Sequence, residues 1–322
     1  MRIGLFIAFC LGSFPCFAET SAGFADLTDL SEAERPLALS IWYPSEGHAT
    51  TAIGGNAVFL GEPAVPAAPL PAEPLPLVVV SHGGLRSAAD SGAWLSSSIA
   101  KAGFIVAEIN APRPESASIA VNEVWRRPQD ISRAVDQILS DANWGKRIDQ
   151  DSISAVGFAL GATAALSVAG AKLDVDHYMR SCDIEAPFSG PDCGWYASQG
   201  VTLTQTNQDG LAGLRHDPRI TSAVAIEPEY LAVLDIALSD TKHLLVSLGN
   251  GDEIPSTASN ISSVEVADSS AIDAFAACTD AGPSILEEDG DASICGPSKE
   301  RREGIHQRVT KIVTSFLSGE DK

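Results

Sequence analysis

The chain has 322 residues, 45% hydrophobic and 20% charged. That is enough apolar material for one large core or two modest ones, and it excludes a disordered tail, a collagen-like fibre and a coiled coil. No internal apolar run approaches the ~20 residues of a spanning helix, and 42 acidic against 21 basic residues give a formal charge of −21, a surface that repels phosphate backbones and argues against nucleic acid as a partner.

In chain order, residues 1–18 read as a secretory signal: Arg2 supplies the positive start, 3–9 the apolar middle, and Cys16-Phe17-Ala18 a small-x-small cleavage site. Neither Cys10 nor Cys16 follows the small residues of a lipoprotein site, so no stable membrane anchor is expected. The expectation is an exported protein, periplasmic or secreted, whose mature part is residues 19–322.

Beyond the signal, short apolar runs alternate with helical patterns, the signature of a mostly parallel sheet flanked by helices. Strands are predicted over 37–42, 75–81, 104–109, 153–158, 220–226, 243–248 and 263–266. Several are unbroken apolar runs such as Leu77-Val78-Val79-Val80, as strands covered on both faces require. Helices are predicted over 88–102, 128–140, 161–170 and 302–317, with Pro128 at a helix start, where its missing N–H costs nothing. The Pro/Ala-rich stretch 61–76 reads as an extended surface segment. Residues 173–217 lack periodicity and read as an inserted lid.

Four cysteines remain after the signal is removed: Cys182, Cys193, Cys278 and Cys295. They allow three pairings. Local closure, Cys182 with Cys193 and Cys278 with Cys295, is the simplest, and fits an oxidising compartment. A zinc site is the alternative, without any C-x-x-C spacing to support it. No metal motif, dinucleotide fingerprint or P-loop is present, so no cofactor is expected.

The most informative segment is Ser154-Ala155-Val156-Gly157-Phe158-Ala159-Leu160-Gly161-Ala162. An apolar strand runs through a Gly-x-X-x-Gly turn into an alanine-rich helix, the context of a nucleophile elbow. Its central residue is Ala159, and a methyl group cannot attack a carbonyl.

With this elbow the chain resembles the α/β-hydrolase superfamily, and more narrowly the bacterial dienelactone-hydrolase-like proteins related to platelet-activating-factor acetylhydrolase. Four further segments carry the resemblance in order: Arg35-Pro36-Leu37 running to Ile41-Trp42-Tyr43-Pro44; Val78-Val79-Val80-Ser81-His82-Gly83-Gly84; Trp125-Arg126-Arg127-Pro128-Gln129-Asp130-Ile131; and Asp217-Pro218-Arg219-Ile220. The resemblance implies an α/β-hydrolase fold, a small-molecule ester substrate and a nucleophile–acid–base triad. The nucleophile falls on Ala159, the acid on Asp252 within Gly249-Asn250-Gly251-Asp252, and the base on Ala271, counted back from Cys278. The N–H groups of Gly84 and Leu160 fall at the oxyanion hole.

Two triad positions are thus alanine, and since such residues act as a unit, acyl transfer should be nearly abolished. Two origins are open. One is a working hydrolase inactivated by truncating Ser and His; the other is a natural relative that has lost catalysis and binds a ligand or partner. Retention of Gly84, Gly157, Gly161 and Asp252 favours the first. Glu227 is a rival acid. His306 and His82 read as structural, Asp273 as solvated, and His48, His177, His216 and His243 as undistinguished. The sequence leaves the oligomeric state open.

Overall fold

The computed structural model describes residues 21–85, 87–183, 192–249, 258–288 and 290–320. The expected signal at 1–18 lies outside them. The strands are β1 (Ser21–Asp29), β2 (Leu37–Ser45), β3 (Thr51–Ile53), β4 (Glu62–Pro66), β5 (Leu75–Ser81), β6 (Ile105–Asn110), β7 (Ile148–Phe158), β8 (Lys172–Leu173), β9 (Ile220–Ile226), β10 (Leu234–Asp235), β11 (Lys242–Leu248) and β12 (Ile261–Val266). The helices are α1 (Ala93–Lys101), α2 (Ala117–Ala120), α3 (Glu123–Ser140), α4 (Leu160–Val168), α5 (Val175–Arg180), α6 (Cys193–Ser198), α7 (Gln208–Ala212), α8 (Gly282–Glu288) and α9 (Lys299–Leu317).

Ten strands form one sheet in the order β12-β11-β9-β7-β5-β6-β2-β1-β4-β3. From β12 to β6 every neighbouring pair is parallel, and β2 and β1 extend the sheet antiparallel. Successive side chains in a strand face opposite sides, so the apolar runs feed two cores. Val78, Val80, Val156, Val224 and Val246 meet α1 and α9 through Trp94, Ile99, Ile305 and Val309. Leu77, Val79, Ile105 and Ala155 meet α3 and α4 through Ile131, Val135, Ala164 and Val168. This is the α/β-hydrolase fold expected from the sequence, and every predicted strand and helix is present with modest shifts at its ends.

Three expectations need correction. Pro128 lies inside α3, which begins at Glu123, because the chain already turns helically from α2. The 61–76 stretch is more than a surface segment: β4 joins the sheet edge beside β1, with Ala64 and Ala68 buried. Asp273 is buried, ion-paired with Arg301 and Arg302.

Both disulfides close locally, Cys182–Cys193 and Cys278–Cys295. The inserted segment carries α5, α6 and α7, whose Tyr178, Tyr196 and Leu211 pack with Leu160, Tyr230 and Val124 in a separate apolar cluster. No helix among the described residues is long and apolar enough to cross a membrane.

Candidate active site

In a parallel sheet of this kind, sites gather at the carboxyl ends of the strands. Here β5 ends in Ser81-His82-Gly83-Gly84, β7 in Ala159, β9 in Glu227 and β12 in the loop to Ala271. Ala159 has φ 49° and ψ −121°, a backbone region that alanine populates only at a cost of roughly 1–3 kcal/mol. Two glycines make the bend possible. A Cβ on Gly157 would lie 2.2 Å from the Gly161 carbonyl oxygen, and one on Gly161 would lie 2.1 Å from that of Ser81. Strand, turn and helix therefore approach closer than any side chain allows.

The β5 turn stands against the elbow, since a Cβ on Gly83 would meet that of Ala159 at 2.9 Å. Gly84 follows with φ 69°. Arg127 fixes this turn by donating to the carbonyls of His82 and Gly84, while its Nε binds Glu123. Glu123 and Asp130 in turn both hold the buried Arg35. The Arg127-Pro128-Gln129-Asp130 segment thus clamps α3 to the turn before the elbow. Beside the turn lies a cavity of about 430 Å³ lined by His82, Gly84, Ser87, Asn110, Arg113 and Arg127.

Among the expected site residues, Ala159, Leu160 and Gly84 share this corner. Leu160 opens α4 after an N-cap, Ala159, whose methyl supplies no cap, and the Leu160 N–H instead meets the Glu229 carboxyl. Ala271 is exposed and heads a 3-10 turn, Ala271–Ala274, closed by reciprocal hydrogen bonds between Ser270 and Asp273. That turn sits at the same sheet edge: Gly249, at the end of β11, abuts the Ser269 carbonyl. Asp252 lies outside the described residues. Glu227, the rival acid, accepts the Leu248 N–H through Oε1, tying β9 to β11, and burial raises its pKa.

The histidines next to this edge are held in backbone contacts. His306 Nε2 faces the carbonyls of Asp273 and Phe275 at 2.9 and 3.1 Å, and its ring stacks on Trp94 at 3.7 Å. His82 Nδ1 faces the Gly83 carbonyl at 2.8 Å. Burial lowers both pKa values to about 4, leaving neutral rings. His243 is fully buried, and neither ring nitrogen has a partner among the described residues. His177 pairs with the exposed Asp174 at 2.6 Å.

Two further carboxyls stand out in the structure. Glu108 is fully buried in β6. Glu229 sits beside the elbow: its N–H donates to the Ala159 carbonyl at 3.3 Å and its carbonyl accepts the Thr163 hydroxyl. Its Oε2 is buried with no hydrogen-bond partner among the described residues. Burial, then Asp192, pushes its pKa up to about 7, against the pull of Arg127 and the Leu160 N–H.

No protein-family model matches the chain, and no curated protein matches it. Solved structures do. One is the ferulic acid esterase from Streptomyces cinnamoneus, 16% identical, with 95% of this chain and 91% of that chain covered at a TM-score of 0.55. The likeness is one of fold, and the fold is that of the α/β-hydrolases.

Proposed function

We propose that the chain is a carboxylic-ester hydrolase of the dienelactone-hydrolase-like and platelet-activating-factor-acetylhydrolase-like kind, in a catalytically silent form. The observation that carries this reading is the elbow: Ala159 keeps a strained backbone, between two glycines that permit it, with a methyl where a hydroxyl would attack. A side chain displayed there stands against the Gly83–Gly84 turn. The N–H groups of Gly84 and Leu160 would hold the oxyanion of an ester's tetrahedral intermediate, at the head of a helix whose dipole favours negative charge. Position 271 is assigned to the base that would carry the proton from nucleophile to leaving group, and Asp252 to its orienting acid. The 173–217 insertion is assigned to the pocket's lid. The two disulfides are consistent with export.

The test restores both side chains. Ala159→Ser with Ala271→His is assayed on p-nitrophenyl acetate and butyrate. Loss of a nucleophile costs on the order of 10⁶ in turnover, so even partial restoration stands far above the parent. No gain in the folded double variant overturns the reading.

A second reading, an exported binding protein on the hydrolase fold, is favoured by one observation. An acidic side chain, Glu229, stands beside the N–H that would otherwise meet an oxyanion. Tight, saturable binding of an ester that the parent never turns over would support it.

A further inference from the structure

We propose that Ser87 is a positioning residue for ester hydrolysis at the elbow: its hydroxyl grips the Gly83 carbonyl and so holds the Gly84 N–H toward position 159. The inference deepens the reading of the Gly84 N–H as an oxyanion donor and rests on it.

In a trans peptide the C=O and the N–H point in opposite directions, so whatever holds the Gly83 carbonyl also aims the Gly84 N–H. Two donors hold that carbonyl. The Ser87 hydroxyl donates to it at 2.6 Å, and His82 Nδ1 faces it at 2.8 Å. A carbonyl oxygen only accepts, so this ring nitrogen carries the proton. The carbonyls on either side, of His82 and Gly84, are taken by Arg127. All three carbonyls of the turn are thus engaged by donors, and none is left to swing toward an incoming oxyanion. Gly84 itself is exposed, and its N–H has no acceptor among the described residues.

Local sterics reserve the place for Ser87. Gly84 has φ 69°, and a Cβ there would lie 2.6 Å from the Ser87 Oγ. Only glycine leaves room for the hydroxyl at its side. Ser87 is itself anchored, its own carbonyl accepting Arg113 Nε at 2.9 Å. On the elbow side, a Cβ on Gly83 would meet the Phe158 carbonyl oxygen at 2.5 Å and the Ala159 Cβ at 2.9 Å. The gripped peptide therefore lies directly against the bend, and Ser87 acts through that peptide rather than on the substrate.

Two measurements test the assignment. The first uses the otherwise unaltered chain and needs no catalysis. It follows by NMR the amide nitrogen resonance of Gly84, which responds to hydrogen bonding at the carbonyl of the same peptide. Ser87→Ala should shift this resonance, and Ser87→Thr, which keeps a hydroxyl, should leave it near the parent position. The second uses the restored enzyme, Ala159→Ser with Ala271→His, on p-nitrophenyl butyrate. Loss of one neutral hydrogen bond, with His82 still in place, should lower kcat about fivefold with KM unchanged, and Ser87→Thr should retain the activity. A Gly84 resonance that Ser87→Ala does not move, or that moves equally in Ser87→Thr, overturns the proposal. So does an unchanged kcat in the active restored enzyme, or a loss confined to KM. A folded but inactive restored enzyme counts against the hydrolase reading, while the Gly84 resonance still decides whether Ser87 aims the N–H.

Discussion

Glu108 is the most sharply testable residue of the core. It is fully buried in β6, where Oε1 accepts the Gly92 N–H at 2.7 Å and Oε2 accepts the Ser96 hydroxyl at 2.9 Å. Burial, with Asp90 adding to it, pushes its pKa from 4.5 up to about 8. Because the folded value is the higher one, the native state holds its proton more tightly than the unfolded chain does. Stability is therefore fullest below about pH 4.5 and drains away as pH rises through about 8. At about 1.4 kcal/mol per pH unit, the window from pH 6 to pH 9 carries a loss of about 3 kcal/mol from this one group. Glu108→Gln keeps an acceptor for Gly92 and cannot ionise. Urea unfolding of parent and variant at the two pH values should therefore show the parent losing about 3 kcal/mol more. Glu229 titrates in the same window but is common to both proteins, so it cancels from the comparison. Parallel pH profiles would refute the reasoning.

Two further outcomes follow from the geometry. Gly161→Ala forces a methyl onto the backbone oxygens of Ser81 and His82; overpacking of this kind costs about 1–3 kcal/mol or more, read as a lowered urea midpoint and reduced yield of folded protein. Replacing Cys278 and Cys295 by serine opens a loop of 17 residues and should cost about 3 kcal/mol by thermal or urea unfolding, with no such loss if the two thiols are unpaired in the parent.

The parallel strands were legible because each carries a short aliphatic stretch, unbroken in Leu77-Val78-Val79-Val80 of β5, as a strand covered on both faces requires. The elbow was legible for a different reason: its glycines answer to steric limits that no neighbour can relax. β1 was missed because polar residues alternate through Gly23-Phe24-Ala25-Asp26-Leu27-Thr28. β3 and β4 are short edge strands whose pairing, not composition, makes them strands. Glu108 did leave a signal, a single acid inside Ile105-Val106-Ala107-Glu108-Ile109, where an unpaired charge cannot stay ionised cheaply. Glu229 left none. Its character comes from the two bonds that fix its backbone to α4, and those join residues about seventy positions apart. Asp273 was misread because both of its arginine partners come from the start of α9, far along the chain.

Between β3 and β4, the Val58 carbonyl accepts the Thr279 N–H, Leu60 N–H reaches Ala277, Phe59 bridges Cys278, and the Phe59 and Phe275 rings stack at 6.0 Å. The early chain thus buckles onto the stretch that follows the Ala271 turn, across more than two hundred residues. Contacts so distant in sequence carry a high closure entropy and are slow to form. A chain emerging amino end first would complete most of its sheet before this clasp could fasten, so the ground beneath position 271 is expected to be the last part of the sheet's carboxyl edge to set.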